Sequence, residues 1–249
     1  MSKLTKALTA AAGNAGAGAL YAEDVFSTYL YEGTGATQSI NNGIDLDGEG
    51  GMTWIKCRNT AFNNVIFDTE RGAPNALLTN TTDQNISFYS DSLTSFNLDG
   101  FSLGADTTSL LVNNGNNRDY CSWSFRKAEK FFDVVTYTGT GTPQTIAHNL
   151  GVAPAFIITK KTSSTSNWAT NDPSQANPWS GALLLNSTNA FTTASTVWND
   201  TAPTDSVFTV GTSDATNLSG QTYVAYLFAS DAGGFGDDGS ENIIKCGSY

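Results

Sequence analysis

Short apolar segments separated by polar turns dominate the chain from Tyr29 onward. The segments are rich in β-branched and aromatic residues and fall at 52–56, 65–67, 86–89, 131–137, 155–160 and 222–228. Turn-forming pairs such as Asn42-Gly43 and Asp99-Gly100 stand between them. Segments of this length and composition, bounded by Gly, Asn, Asp and Pro, are typical of β-strands. The pattern therefore predicts an all-β protein.

The chain also repeats itself about a hundred residues later, which is a common domain size. The segment 31–40, Tyr-Glu-Gly-Thr-Gly-Ala-Thr-Gln-Ser-Ile, returns at 137–146 as Tyr-Thr-Gly-Thr-Gly-Thr-Pro-Gln-Thr-Ile. Further matches join 76–82 to 182–188, 101–104 to 208–211, and 120–125 to 223–228. With about eight predicted strands in each copy, the repeat predicts two tandem β-sandwiches of the jelly-roll type.

The repeat fixes the expected domain boundaries. We expect an Ala- and Gly-rich N-terminal arm at 1–28 that becomes ordered on another protein, then sandwiches at 29–128 and 129–236. The charged run 126–130 predicts a short solvated linker between them. The segment 237–249 predicts an acidic connector followed by the first strand of a further module, and hence a natural polypeptide that continues past its end.

Charge and cysteine content limit the classes of partner and the cellular compartment that are expected for the chain. The net charge is −11 and only 12 residues are Lys or Arg, so no basic surface is predicted for nucleic acid. No apolar run approaches the ~18 residues of a membrane span, and the N-terminus lacks the apolar centre of a secretory signal. The 3 cysteines are odd in number and do not recur between the copies. They predict free thiols in a protein assembled in a reducing cytoplasm.

One acidic run offers ligands for a metal. Asp45, Asp47 and Glu49 lie within five residues and could supply oxygens to Ca²⁺, but they lack the closing Glu of a twelve-residue calcium loop. The second copy has Val-Ala-Pro at 152–154 in the corresponding place. A Gly-rich turn explains the run equally, so these three residues are only candidate ligands and no metal or other cofactor is predicted.

Catalytic chemistry has little basis in the sequence. His148 is the only histidine, so a Ser-His-Asp or Cys-His triad could form only around it, and the first copy has Asn42 in its place. A turn hydrogen-bonding role explains both residues. Glycosidases need two carboxylates across a cleft, and no Glu-x-Asp-x-x-Glu pattern places such a pair on one strand. We therefore predict no catalytic residues and no enzyme.

Three tryptophans in the second copy lie among Asn, Ser and Thr, a mixture typical of sugar-binding surfaces. Trp198 follows Val197 in a strand-like run and is predicted to be core. Trp179, between Pro178 and Ser180, is predicted to be the most exposed. Core packing is the simpler explanation for most of the three, and Trp179 and Trp168 are only weak candidates for ligand binding.

The segments 95–104, 131–141, 146–151 and 223–229 resemble marine bacteriophage virion proteins of the cyanophage tail-fibre type, which carry tandem concanavalin-like sandwich domains. The resemblance covers most of 29–249 and implies a structural virion protein, the tail-proximal part of a tail fibre. Such a protein would dock on tail or adaptor proteins through residues 1–28 and position host-binding parts.

The resemblance further implies a homotrimer located in the virion tail after synthesis in the host cytoplasm. A carbohydrate-binding adhesin that contacts host surface glycans is the main alternative. A glycoside hydrolase is a third, and it requires the carboxylate pair that the sequence lacks.

Overall fold

A computed structural model describes residues 18–87, 90–107, 112–113, 115 and 117–247. The strands of the first half are β1 Phe26–Glu32, β2 Gln38–Asn41, β3 Gly51–Cys57, β4 Asn64–Asp68, β5 Ala76–Leu78, β6 Leu93–Asn97, β7 Gly100–Leu103 and β8 Asp119–Arg126. Those of the second half are β9 Phe132–Thr138, β10 Gln144–Ala147, β11 Phe156–Lys161, β12 Ala169–Thr170, β13 Gly181–Leu184, β14 Thr192–Thr193, β15 Val207–Val210 and β16 Thr222–Phe228. Three single-turn helices accompany them: α1 Ala22–Val25, α2 Ser195–Trp198 and α3 Asp214–Asn217. The predicted strand 86–89 lies partly outside the described residues.

The two halves share one antiparallel topology. The first has a sheet in the order β1-β8-β3-β4-β5 and a smaller sheet β2-β7-β6. The second has β9-β16-β11-β12-β13-β14 and a smaller sheet β10-β15. Each strand of the first large sheet therefore has a counterpart in the second. The prediction of an all-β sandwich fold is confirmed.

Each half has its own core between its large and small sheets. Ile55, Phe67 and Phe101 belong to the first of these cores, and Ile157, Phe208 and Leu227 belong to the second. Such residues alternate with neighbours that point to the other side of the same large sheet, because successive side chains of a strand lie on opposite faces.

A third core joins the halves. The faces of the large sheets that point away from the small sheets pack on each other, with Ile66 and Met52 from the first half against Phe132, Ile158 and Tyr226 from the second. Ile158 lies in this shared core while its neighbour Ile157 lies in the core of the second half. The molecule is therefore a stack of four sheets with three apolar layers between them.

The repeated Tyr-x-Gly-Thr-Gly motif forms the same buried hydrogen-bond network in each half. In the second half, Asn217 Oδ1 accepts from the backbone of Thr140 (2.8 Å) and from Gln144 Nε2 (2.7 Å), and its Nδ2 donates to the carbonyls of Thr142 (2.6 Å) and Gly211 (2.5 Å). In the first half Asn113 makes the corresponding four bonds. The Gly-Thr-Gly loop is therefore wrapped around an asparagine, which explains why the motif recurs.

The structure corrects the expected N-terminal arm. Residues 1–17 lie outside the described residues, but α1 and the first residues of β1 belong to the fold. Val25 is fully buried in the shared core, and Leu20 packs against the same core. Residues 18–28 are therefore not an arm reserved for another protein, and the first sandwich begins before residue 29.

The expected linker and C-terminal strand also differ from the structure. Lys127 is only partly exposed and forms ion pairs with Glu70 (2.8 Å) and Asp133 (3.3 Å), so the junction is packed and not simply solvated. The segment 242–247 forms no strand. Ile243 and Ile244 instead pack against the shared core of this same chain.

Candidate functional site: the cleft between the repeats

The candidate metal ligands do not converge. Within the described residues no group of three or more His, Cys, Asp and Glu side chains could hold a metal ion. Asp45 Oδ1 accepts from the backbone of Gly48 (2.7 Å), and Glu49 forms an ion pair with Arg126 (3.2 Å). Asp47 is exposed. These residues form the Gly-rich turn that was the alternative interpretation.

His148 is a buried turn residue. Its Nδ1 accepts a hydrogen bond from the backbone of Leu150 (3.2 Å), as Asn42 Oδ1 accepts from the backbone of Ile44 (3.1 Å) in the first half. Burial lowers the pKa of His148, although the negative charge of Asp133 acts in the opposite direction. The imidazole therefore serves the same local role as the amide it replaces.

The two candidate sugar-binding tryptophans are buried, which favours core packing as their role. Trp179 is 8% exposed and lies edge-on to Trp198, with ring centroids 5.9 Å apart. Trp168 is 0% exposed in the shared core. Trp198 is core as expected, although it lies in α2 and not in a strand.

Two corresponding contacts between the repeats differ sharply. In the first contact, the turn after β5 packs directly against the β11–β12 hairpin and leaves no open space between them. Trp168 Nε1 donates to the Leu78 carbonyl (3.0 Å), and the backbone N–H of Ser166 donates to the Thr82 carbonyl (2.9 Å). Lys160 Nζ adds bonds to the carbonyls of Thr82 (3.1 Å) and Ser166 (2.8 Å).

The second contact is open. Here the turn after β13 faces the β3–β4 hairpin across a cavity of about 550 Å³, which we call the interrepeat cleft. Its lining includes Trp54, Asn64, Asn80, Leu185, Asn186 and Thr188. Ligand pockets typically measure ~300–1,000 Å³, so the cleft can admit a small molecule.

The residue at one equivalent position of the two repeats explains why one contact is closed and the other open. Asn80 Oδ1 accepts from the backbone of Asn64 (3.0 Å), and Asn186 Oδ1 accepts from the backbone of Trp168 (3.0 Å). Asn64 therefore occupies in the first repeat the position that Trp168 occupies in the second. The indole fills the closed contact, whereas the shorter amide leaves the cleft unfilled.

Several polar groups in the cleft remain free for a ligand. Asn80 and Asn186 are committed in part to the turns, because they also donate to Asn63 and Asn167 (both 2.9 Å). The side chains of Asn64 and Thr188 have no hydrogen bond to another described residue. The Trp54 ring is held edge-on by Trp123, with centroids 6.4 Å apart. The cleft thus combines a fixed aromatic surface with unpaired amide and hydroxyl groups.

Some charged groups are buried between the repeats, and none of them lines this cleft. Arg71 and Asp68 form an ion pair (2.7 Å), and Tyr226 of the other repeat donates to Asp68 (2.7 Å). Burial is the largest single effect and opposes the charge on Arg71, but Asp68 and Tyr226 together outweigh it and raise the pKa of the guanidinium. Burial lowers the pKa of Lys160 to about 8. These groups join the repeats.

Sequence reasoning missed Trp54, Asn64 and Leu185. The signal was present in the repeat, because Trp54 lies opposite Trp123 in β8 where the second copy has Ile158 opposite Tyr226 in β16. Leu185 likewise stands where the first copy has Thr79. Departures from the repeat, more than its matches, indicate the cleft.

Comparison with known proteins gives a family assignment. A family model described as Domain of unknown function (DUF7483) matches residues 22–241. No curated protein and no solved structure shows a significant match to the chain. Among the described residues, no helix is long and apolar enough to cross a membrane.

Proposed function

The chain belongs to the DUF7483 family, and we propose that it is a structural virion protein, the tail-proximal part of a phage tail fibre. Its role is to hold host-binding parts at a fixed position relative to the tail. The proposal combines the resemblance to tail-fibre-like proteins with one observation of the fold: the core shared by the two repeats.

The shared core supports a mechanical role because it removes the hinge that two separate tandem domains would have. Phe132, Phe228 and Trp168 are buried between the large sheets, and Trp168 bonds across to Leu78. Inter-domain motion is the default unless the interface is large and hydrophobic. A body of this kind transmits position along a fibre instead of bending between its repeats.

Attachment and self-association belong to the same proposal. Docking on tail or adaptor proteins falls to residues 1–17, since residues 20 and 25 pack on the sandwiches. The chain assembles as a trimer, and the edge strand β1 is a suitable contact because Leu30 there is 58% exposed. Exposed edge strands promote association between chains.

The test is to locate the chain in purified particles of the phage that encodes it, by immunogold labelling followed by cryo-electron microscopy. We expect label on the tail and density for the four-sheet body in three copies about one axis. Absence of the chain from purified particles would overturn the virion role. A single asymmetric copy would overturn the trimer and leave the virion role standing.

A second candidate function is that of an adhesin that binds host glycans directly. The interrepeat cleft favours it, because Trp54, Leu185 and several amides meet there. Glycan binding and fibre positioning are compatible in one protein. The two are separable by experiment because binding can be measured on the isolated chain.

A further inference from the structure

We propose that the interrepeat cleft is a binding site for a short neutral oligosaccharide. This inference rests on the adhesin form of the proposed function. It names the site, the class of ligand and the residues that would contact it.

The apolar part of the cleft fits the C–H face of a sugar ring. Trp54 presents an indole whose orientation is fixed by Trp123. Leu185, which is 39% exposed, lines the cleft on the β13 side. A large apolar residue so exposed loses contact with water when a ligand covers it, which favours binding. An aromatic surface with a polar handle is well suited to an amphipathic ligand such as a sugar.

The polar part of the cleft fits sugar hydroxyls. Asn64 offers both a donor and an acceptor, and neither is committed to another described residue. Thr188 offers a hydroxyl group on the opposite wall. Asn80 and Asn186 each retain an amide proton beyond the one donated within their turns. Groups that both donate and accept match hydroxyls, which do the same.

The absence of charge in the lining selects a neutral ligand. Each lining residue of the cleft is uncharged, although the chain as a whole carries a net charge of −11. Among the lining residues an anionic sugar would meet no cation, and it would also be repelled by the acidic protein. The uncharged amides and hydroxyls of the lining can form hydrogen bonds with the hydroxyls of a neutral oligosaccharide.

The site arises because the first repeat departs from the second. Trp168 fills the closed contact and bonds to Leu78, whereas its counterpart Asn64 leaves the corresponding space empty. The second repeat therefore shows which substitution would fill the cleft. Replacing Asn64 by tryptophan would give the first repeat the residue that closes the other contact.

The experiment titrates the isolated chain with four neutral probes, namely lactose, maltotriose, α-mannobiose and N,N′-diacetylchitobiose, by ligand-observed NMR. The acidic probe 3′-sialyllactose is compared with lactose. The test variants are Asn64→Trp and Leu185→Ala. Their matched controls are Asn41→Trp, at an exposed strand asparagine in β2 outside the cleft, and Leu218→Ala, at a leucine of nearly equal exposure (42%) also outside it. Circular dichroism confirms that each variant is folded.

We expect at least one neutral probe to bind and both test variants to weaken it by about tenfold or more. The two controls should bind as the unchanged protein does. Binding by none of the neutral probes at roughly 10 mM, well above a millimolar Kd, would overturn the inference. Equal binding by Asn64→Trp and Leu185→Ala, or tighter binding of 3′-sialyllactose than of lactose, would also overturn it. Any of these failures leaves the location of the chain in the particle untouched.

Discussion

Two buried asparagines organise the loops that the sequence repeats. Asn113 and Asn217 each use one amide oxygen and both amide protons in hydrogen bonds. Tyr31 and Tyr137 add a hydroxyl bond to a nearby carbonyl, at 2.7 Å in both cases. Burying backbone donors and acceptors is costly unless they are paired. In each half a buried asparagine therefore ties a largely exposed Gly-Thr-Gly loop to the sandwich.

We predict that Asn217→Ala lowers the free energy of unfolding by about 3 kcal/mol, because it removes the four hydrogen bonds of a fully buried amide at ~1 kcal/mol each. Urea denaturation measures the change. Asn189→Ala is the control, at an exposed asparagine, and should change stability by less than about 0.5 kcal/mol. A loss below about 1 kcal/mol for Asn217→Ala would mean that water replaces the amide.

For single residues, the sequence predicted the role of a side chain whose hydrogen-bond partner lies close to it in the chain. His148 bonds two residues ahead, as the turn pattern indicated. Trp179 could not be predicted in the same way. Its neighbours are polar, and its burial depends on Trp198, which approaches from α2. A contact made by a distant segment leaves no mark on the local pattern.

At the scale of elements, Lys160 links the turn after β5 to the β11–β12 hairpin in the closed contact. Its counterpart in the first repeat, Lys56, is less buried. Lys160 is fully buried, and among the described residues its Nζ bonds to the carbonyls of Thr82 and Ser166, one from each repeat. Lys56 occupies the corresponding place in β3 and is partly exposed, and its Nζ bonds to the carbonyl of Phe62 (2.6 Å). Burial against neutral carbonyls is what depresses the pKa of Lys160.

The lowered pKa predicts a pH dependence of stability. Below pH 8 Lys160 is protonated in both the folded and the unfolded state, and the cost of burying its charge is fully present. Between pH 8 and 10.5 the folded protein loses this proton while the unfolded chain keeps it, so the contribution of Lys160 to stability rises with pH. The full rise is about 2 kcal/mol once screening by solvent is allowed for.

The measurement compares urea denaturation of the unchanged protein and of Lys160→Met from pH 7.5 to 9.5. The difference in unfolding free energy should shift in favour of the unchanged protein as pH rises. Lys56→Met, at the less buried counterpart, is measured alongside as the matched control. A flat difference for Lys160→Met would show that the ammonium group is not desolvated as the structure implies.

The packing of the large sheets on each other was predictable only in part. The runs Val65-Ile66-Phe67 and 223–228 are apolar at successive positions, a pattern typical of strands buried on both faces. That pattern indicates a second covering layer but does not identify it. Which sheet covers which depends on contacts between residues more than a hundred positions apart, such as the bond from Tyr226 to Asp68.

At the scale of the whole molecule, the shared core makes the two repeats one body. Fully burying a large apolar side chain contributes about 1.5–3 kcal/mol. Phe132, Trp168, Tyr226 and Ile66 are all fully buried between the large sheets. Exposing these four alone would cost about 6–12 kcal/mol, which is comparable with the ~5–15 kcal/mol that stabilises a whole domain. Separating the repeats would therefore cost about as much free energy as stabilises a whole domain, and we expect the two repeats to unfold together.

Differential scanning calorimetry of the intact chain tests this claim most directly, because a fibre element that fixes position requires repeats that do not move independently. We predict a single transition in which the calorimetric enthalpy and the van't Hoff enthalpy agree, with a ratio of about 1. Two resolved transitions, or a calorimetric enthalpy about twice the van't Hoff value, would show two independent domains and contradict the account.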